Sequence, residues 1–288
     1  KTFASGTTGI KDSLNIFGAT GDAIANLSTI NYNGNATQNV ASLAYYNLTC
    51  SNNGAKLAIG DIQLNNLFTL SGTASFDADG IANDKIFTLK SDSLGTASIG
   101  FLPIPVNFSG NITMQRYIDA GQTSWRFLTA ATSGMTLSEF SGDFETSGFI
   151  GSDFPNWPSA ANPWPSIYYY NETAAGGLNN GFVPATNITN TVAVGEGLWV
   201  WSGDTSTGTQ PFSTDMIGPA NTGNINLPVS YTNTGSPADD GWCMVGNPYP
   251  SSIDWETGVT RIAVDDAIYI WNPDLGQYAS YVSGIGTN

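Results

Sequence analysis

Asp77-Ala-Asp79-Gly-Ile-Ala-Asn83-Asp84 sets three carboxylates and an amide oxygen around a glycine within eight residues. A hard cation takes several oxygen ligands, so Asp77, Asp79, Asn83 and Asp84 form a candidate metal site, and Ca²⁺ is the one cofactor the sequence offers. The run lacks the regular spacing and terminal Glu of an EF-hand loop, and a plain Asp/Gly turn between two strands explains it equally well. A second acidic group, Glu139, Asp143, Glu145 and Asp153, is close enough in sequence to be weighed for glycoside hydrolysis, which needs two carboxyls about 5 to 9 Å apart. These four lie in a Gly/Ser-rich stretch, where solvated loop carboxylates are the default. The chain contains no His, which removes the Ser-His-Asp triad, the Cys-His pair and most zinc sites together. No catalytic residue is assigned.

The remaining chemistry-bearing side chains are aromatic. Trp157 and Trp164 sit in Phe154-Pro-Asn-Trp-Pro158 and Asn162-Pro-Trp-Pro165, Pro-rich loop segments whose side chains often point outward. Flat rings of this kind stack on sugar faces, so both are candidate carbohydrate-binding residues. Most other rings of the second half fall at alternating strand positions and are expected to fill a core.

Composition sets the environment these residues work in. Of 288 residues, 41% are hydrophobic and 11% charged, so a sizeable core is wetted by Asn, Ser, Thr and Gly rather than by ions. Those residue types favour strands and turns over helices. A formal charge of -15 repels phosphate backbones and anionic headgroups, so no nucleic acid and no membrane insertion are expected. No run approaches the roughly 18 apolar residues of a membrane span. The chain starts at Lys1 without an initiator Met or an apolar leader, which reads as a processed chain or an excerpt of a longer one. Cys50 and Cys243 lie in apolar, strand-like contexts and read as buried thiols. A disulfide between them is the alternative in an oxidising compartment.

From about Gly9 to Gly100, short strands alternate with Gly/Asn/Asp turns: residues 13–17, 28–32, 45–49, 61–65, 67–70 and 85–89. Their spacing, about 14 to 20 residues, is that of solenoid rungs. Pro103 and Pro105 bracket Ile104 and mark a module junction. Beyond it the strands turn aromatic and the connections lengthen: residues 109–118, 124–128, 166–170, 198–201, 223–229, 241–245 and 267–271. Short strands punctuated by Gly, Pro and Asn argue for a β-sandwich. The expected fold is all-β: a short right-handed parallel β-solenoid over residues 1–108, then a jelly-roll-like β-sandwich over 109–288.

Ala44-Tyr-Tyr-Asn-Leu-Thr49, preceded by Ile30-Asn-Tyr-Asn-Gly34, resembles the β-helical stalk repeats of large bacterial proteins exported by the type IX secretion system. Ile112-Thr-Met-Gln-Arg-Tyr-Ile118 with Trp125-Arg-Phe-Leu128, Gly241-Trp-Cys-Met-Val-Gly-Asn-Pro-Tyr-Pro-Ser251 with Ile253-Asp-Trp255, and Ala267-Ile-Tyr-Ile-Trp-Asn-Pro273 with Gly276-Gln-Tyr278 resemble the sandwich region that precedes their C-terminal sorting domain. The Gly-Asn-Pro-Tyr-Pro block is the most specific of these matches. The family's sorting domain and capping segment are not within residues 1–288, which reads as their having been cleaved or lying outside this stretch. The resemblance implies a secreted, extracellular or cell-surface protein of adhesin type, handled by the type IX export machinery. Its partners would be an extracellular glycan or surface, or copies of itself. Asp12-Ser13-Leu14 and Asp92-Ser93-Leu94 look like the short O-glycosylation motif of such bacteria, which makes Ser13 and Ser93 candidate acceptors. Two alternatives stand beside the adhesin: a self-assembling subunit of an extracellular filament or sheath, and a carbohydrate-binding module of a polysaccharide-active protein.

Overall fold

The computed structural model describes residues 6–12, 14, 22–23, 27–102, 107–119, 124–174, 176–203, 211–227 and 229–287. Among them the protein is almost entirely β, with no α-helix and two short 3₁₀ turns, Leu137–Phe140 and Leu178–Gly181. No helix among these residues is long and apolar enough to cross a membrane.

In the first hundred residues, alternation along the strands decides which side chains go inward. Thr29–Tyr32, Ala44–Cys50 and Ile62–Leu70 turn Thr29, Asn31, Thr49 and Thr69 outward and bury Ile30, Tyr32, Leu48, Cys50, Phe68 and Leu70. These strands pair in parallel and in register, Ile30 opposite Leu48 and Leu48 opposite Phe68. Phe68 in turn pairs with Ile99. A second parallel ladder joins Gln38–Val40, Ala55–Ala58, Ser75–Asp77 and Asn107–Ser109. The chain returns to its own neighbour at offsets of 18 and 20 residues, widening to 25 where a longer loop intervenes. Outward Asn and Thr also bond up the ladder, Asn47 Nδ2 to Thr29 Oγ1 at 3.1 Å and Asn66 Nδ2 to Asn47 Oδ1 at 2.8 Å.

Inside, Phe68, Phe76, Phe87 and Phe108 cluster with ring centroids 4.7 to 6.4 Å apart. Burying one such ring contributes about 1.5–3 kcal/mol. One inward strand position of this region is charged. Lys56 is fully buried, and its ammonium donates to the carbonyls of Gly34 (2.8 Å) and Asn53 (2.7 Å). It thereby satisfies turn carbonyls that no strand reaches. Tyr32 and Tyr45 bond each other at 3.0 Å and close on the Ala41 backbone.

The Asn111–Ile118 strand lies parallel to Phe87–Leu89 on one side and antiparallel to Phe212–Pro219 on the other. One nine-stranded sheet therefore runs from the parallel region into the second half. There, Ser124–Thr129, Gly197–Ser202, Ile167–Tyr170 and Phe182–Pro184 form a four-stranded antiparallel sheet. Its inner face supplies Leu128, Ile167, Leu198 and Val200 to a core closed by Met135, Leu137, Phe140 and Met216. A three-stranded meander, Ala267–Asn272, Gln277–Val282 and Ile285–Thr287, meets the opposite face through Trp271 and Tyr278.

Several expected strands differ. Residues 61–65 and 67–70 are one strand, Ile62–Leu70, whose extra residue at Asn65–Asn66 bulges where the register with its neighbour shifts between Tyr45 and Asn47. Residues 223–229 and 241–245 form no strand among the described residues. Side chains take part of their backbone, Tyr249 Oη accepting Ile225 N and Glu172 accepting Gly241 N, and the second segment keeps only an isolated antiparallel bridge, Val245 opposite Glu196. Phe212–Pro219 was not expected, because Ser213, Thr214 and Asp215 mask its alternation. The 13–17 segment and the Pro103–Pro105 junction lie largely or wholly outside the described residues.

Candidate functional site

The acidic residues are the first test of chemistry, and the structure spends them on backbone. Leu137–Phe140 and the turn after it lie against the outer edge of Phe212–Pro219. There Asp143 Oδ2 accepts the N–H of Asp215 at 2.9 Å and Glu139 Oε2 accepts that of Ile217 at 3.3 Å. Alternate N–H groups of an edge strand are thus met by carboxylates in place of a further strand. Burial pushes the Asp143 carboxyl up to about 6, with the neighbouring Asp215 and Glu139 charges adding to the rise. Asp153 accepts from Thr146 twice, at N and Oγ1, both 2.8 Å. Glu145 Oε2 is buried with no partner among the described residues. Asp143 and Glu139 thus brace the neighbouring strand, and Asp153 its own loop.

Sequence reasoning missed the most heavily bonded acid. Glu172 accepts Ser230 Oγ at 2.6 Å, Thr232 N at 2.6 Å, Thr232 Oγ1 at 2.9 Å and Gly241 N at 3.2 Å. These donors, the Ser230 hydroxyl first, hold its carboxyl below the usual range. No spacing in the sequence points to it, since its partners lie about sixty residues downstream.

In the Asp77–Asp84 loop, Asp79 is buried and its Oδ2 accepts Asn111 N at 2.8 Å, while Oδ1 meets no donor. Burial and the adjacent Asp79 carboxylate raise the Asp77 carboxyl above its ordinary value. Asp84 turns instead to Lys85, 2.7 Å away, and Asn83 sits in the left-handed region at φ 53. Among the described residues no three acidic, Cys or His side chains converge as a metal site. Within the loop, Asp77 and Asp79 lie close enough for their charges to interact, while Asp84 pairs with Lys85.

Trp157 is 54% exposed at the base of a hairpin pairing Pro158 with Pro163 and Ser159 with Asn162. Trp164 is half-buried, contrary to its expected outward position. Its ring lies 5.6 Å from Trp157 and 5.5 Å from both Trp125 and Trp201, because the hairpin folds back onto the four-stranded sheet. Trp125 and Trp199 stack there with 1° between their planes. Ser93 is exposed at the tip of a hairpin whose turn is set by Asp92 Oδ1 accepting Leu94 N at 2.8 Å, and Ser13 lies outside the described residues. Both cysteines are free; Cys50 is buried, which pushes its thiol up, and Cys243 is half-buried beside Ser230.

The Gly-Asn-Pro-Tyr-Pro block has a structural role. Asn247 Oδ1 accepts Tyr249 N, Tyr249 Oη donates to Gly223 O at 2.7 Å, and Pro250 O accepts Ile99 N at 2.9 Å.

A family model described as a domain of unknown function (DUF8693) matches residues 152–283. No curated protein and no solved structure matches the chain.

Proposed function

We propose that this chain is a secreted, cell-surface protein that acts by binding or by forming structure, without catalytic activity. In this reading, residues 1–108 form a short right-handed parallel β-solenoid serving as a stalk. Residues 109–288 form a jelly-roll-like β-sandwich at its end, of the adhesin-like kind exported by the type IX system.

The observation that carries the reading is the use of the acids. Asp143, Glu139, Asp153 and Glu172 each accept backbone N–H groups at fixed strand and loop positions. A general acid or nucleophile must reach substrate, whereas these carboxylates are occupied by the fold itself. The recurring parallel pairing with bonded outward Asn and Thr supports the stalk: it extends by repetition and keeps an uncharged exterior.

The test is a long incubation of the purified chain with neutral and acidic polysaccharides, following new reducing ends. The reading expects none above the buffer control. A rise that Asp143→Asn or Glu139→Gln abolishes would overturn it. The aromatic face of the four-stranded sheet favours a second reading, a carbohydrate-binding module, which is compatible with the first.

A further inference from the structure

A sheet with one core needs one apolar face, and the four-stranded sheet has two. Its inner face is aliphatic and sealed. On the other face the registers bring Trp125 opposite Trp201 and Phe127 opposite Trp199, with Tyr168 opposite Trp199 on the next strand. The meander covers one end of this face, where Trp271 lies 5.5 Å from Trp199 and Tyr278 lies 6.2 Å from Phe127. At the other end the layer over Trp125 and Trp201 is Trp164, with Trp157 beyond it at the rim, 54% exposed. Paired rings thus continue from the covered end to solvent.

The open end is also chemically specific. The indole N–H groups of Trp242 and Trp255 donate to Ala238 O and Asp266 Oδ1. Among the described residues none of the indole nitrogens of Trp125, Trp164 and Trp201 is buried without a partner, and Trp157 is exposed. Half-exposed rings with N–H donors at their edges suit a ligand that offers C–H faces and neutral oxygens. The strand alternation directs Arg126 to the opposite, core side, where its guanidinium bonds Ser202 Oγ at 3.0 Å. This strand thus places no cation on the ring face, and the chain's charge of -15 disfavours a polyanion.

The hairpin is held in place before any ligand arrives. Trp164 N donates to Trp157 O at 2.7 Å, Ser147 Oγ to Trp164 O at 2.9 Å, and Ser166 N to Ser147 O at 3.1 Å. A preset platform loses little freedom on binding.

We propose that the Trp125–Trp201–Trp164 end of this face, with Trp157 at its rim, binds neutral polysaccharide. The inference deepens the reading of the chain as a binding surface and rests on it. Affinity electrophoresis of the whole chain through gels containing xylan, mixed-linkage β-glucan, galactomannan or polygalacturonate tests it, with size-exclusion chromatography of the same samples. At least one neutral polysaccharide should retard the chain and polygalacturonate should not. Trp157→Ala should weaken retardation about tenfold, the change about 1.4 kcal/mol produces. Trp164→Phe, which keeps a ring and removes the N–H, should weaken it several-fold with an unchanged near-ultraviolet circular dichroism spectrum. Retardation by none of the gels, by polygalacturonate alone, or to the same degree in both variants would overturn the proposal. So would a dimer that Trp157→Ala dissolves, because the face would then serve a second copy. Cleavage of a retarding polysaccharide would sink the non-catalytic reading and leave the binding face standing.

Discussion

The N–H of Ile99 donates to the carbonyl of Pro250 over 2.9 Å, joining the last strand of the first parallel ladder to a turn some hundred and fifty residues later. Ile99 is itself paired through Phe68, so the Gly-Asn-Pro-Tyr-Pro turn sits where another strand would otherwise add. Pro248 and Pro250 are buried there.

Tyr249 fixes that turn, donating to Gly223 O and accepting from Ile225 N at 3.1 Å. Tyr249→Phe removes both bonds and is predicted to cost about 1–2 kcal/mol. Thermal unfolding would show this as a Tm lowered by about 3 °C per kcal/mol. An unchanged Tm would mean that the turn is not held through this hydroxyl.

Gly110 is predicted to be intolerant of a side chain. Its φ is 88°, and an added Cβ would lie 2.8 Å from Asp79 N and nearer still to the Asp79 carboxylate, which bonds the adjacent Asn111. Gly110→Ala should cost about 1–3 kcal/mol. Gly142→Ala, with φ 90° but open space around it, should cost less. Paired chemical denaturation curves compare the two, and equal midpoints would remove the Asp79 contact from the account.

Stability is predicted to rise on mild acidification. Asp143 titrates near 6 in the folded chain against an ordinary value of 3.8, so the folded state binds the extra proton between those values. The gain is complete below the ordinary value and is lost as the pH rises through about 6. Glu172 and Asp254 shift downward and withdraw stability only as the pH falls below their ordinary values. Tm should therefore increase from neutral pH toward about pH 5. Asp143→Asn should flatten that rise while keeping an acceptor for Asp215 N. A wild-type Tm that falls over this range would contradict the assignment.

Much of the first hundred residues was legible, because alternation such as Thr29-Ile-Asn-Tyr32 reports directly which side chains turn inward. The second half was less so. Phe212–Pro219 hides its strand behind Ser, Thr and Asp, and residues 223–229 and 241–245 look strand-like yet give the N–H groups of Ile225 and Gly241 to Tyr249 and Glu172. Such long-range side-chain acceptors leave no local pattern. The Pro-rich flanks suggest that Trp157 and Trp164 both point outward, whereas Trp164 packs on Trp125 and Trp201 through contacts distant in sequence that leave no local pattern.

Calcium is predicted to leave Tm unchanged. Asp84 is paired with Lys85, and Asp79 Oδ2 is taken by Asn111 N with Gly110 packed against its other oxygen. Asp77 and one oxygen of Asp79 remain, fewer ligands than a hard cation takes. Any cation bound solely by the folded state must raise Tm, so a higher melting temperature in calcium than in chelator, lost in Asp77→Asn, would restore the loop as a cation site.

The most direct test of the account is where the protein resides. Antibody raised against the purified chain and applied to intact cells of the organism that makes it, and to its culture medium, should find the protein at the surface or in the medium before lysis. Detection only after the cells are broken open would contradict the reading of this chain as an extracellular binding protein.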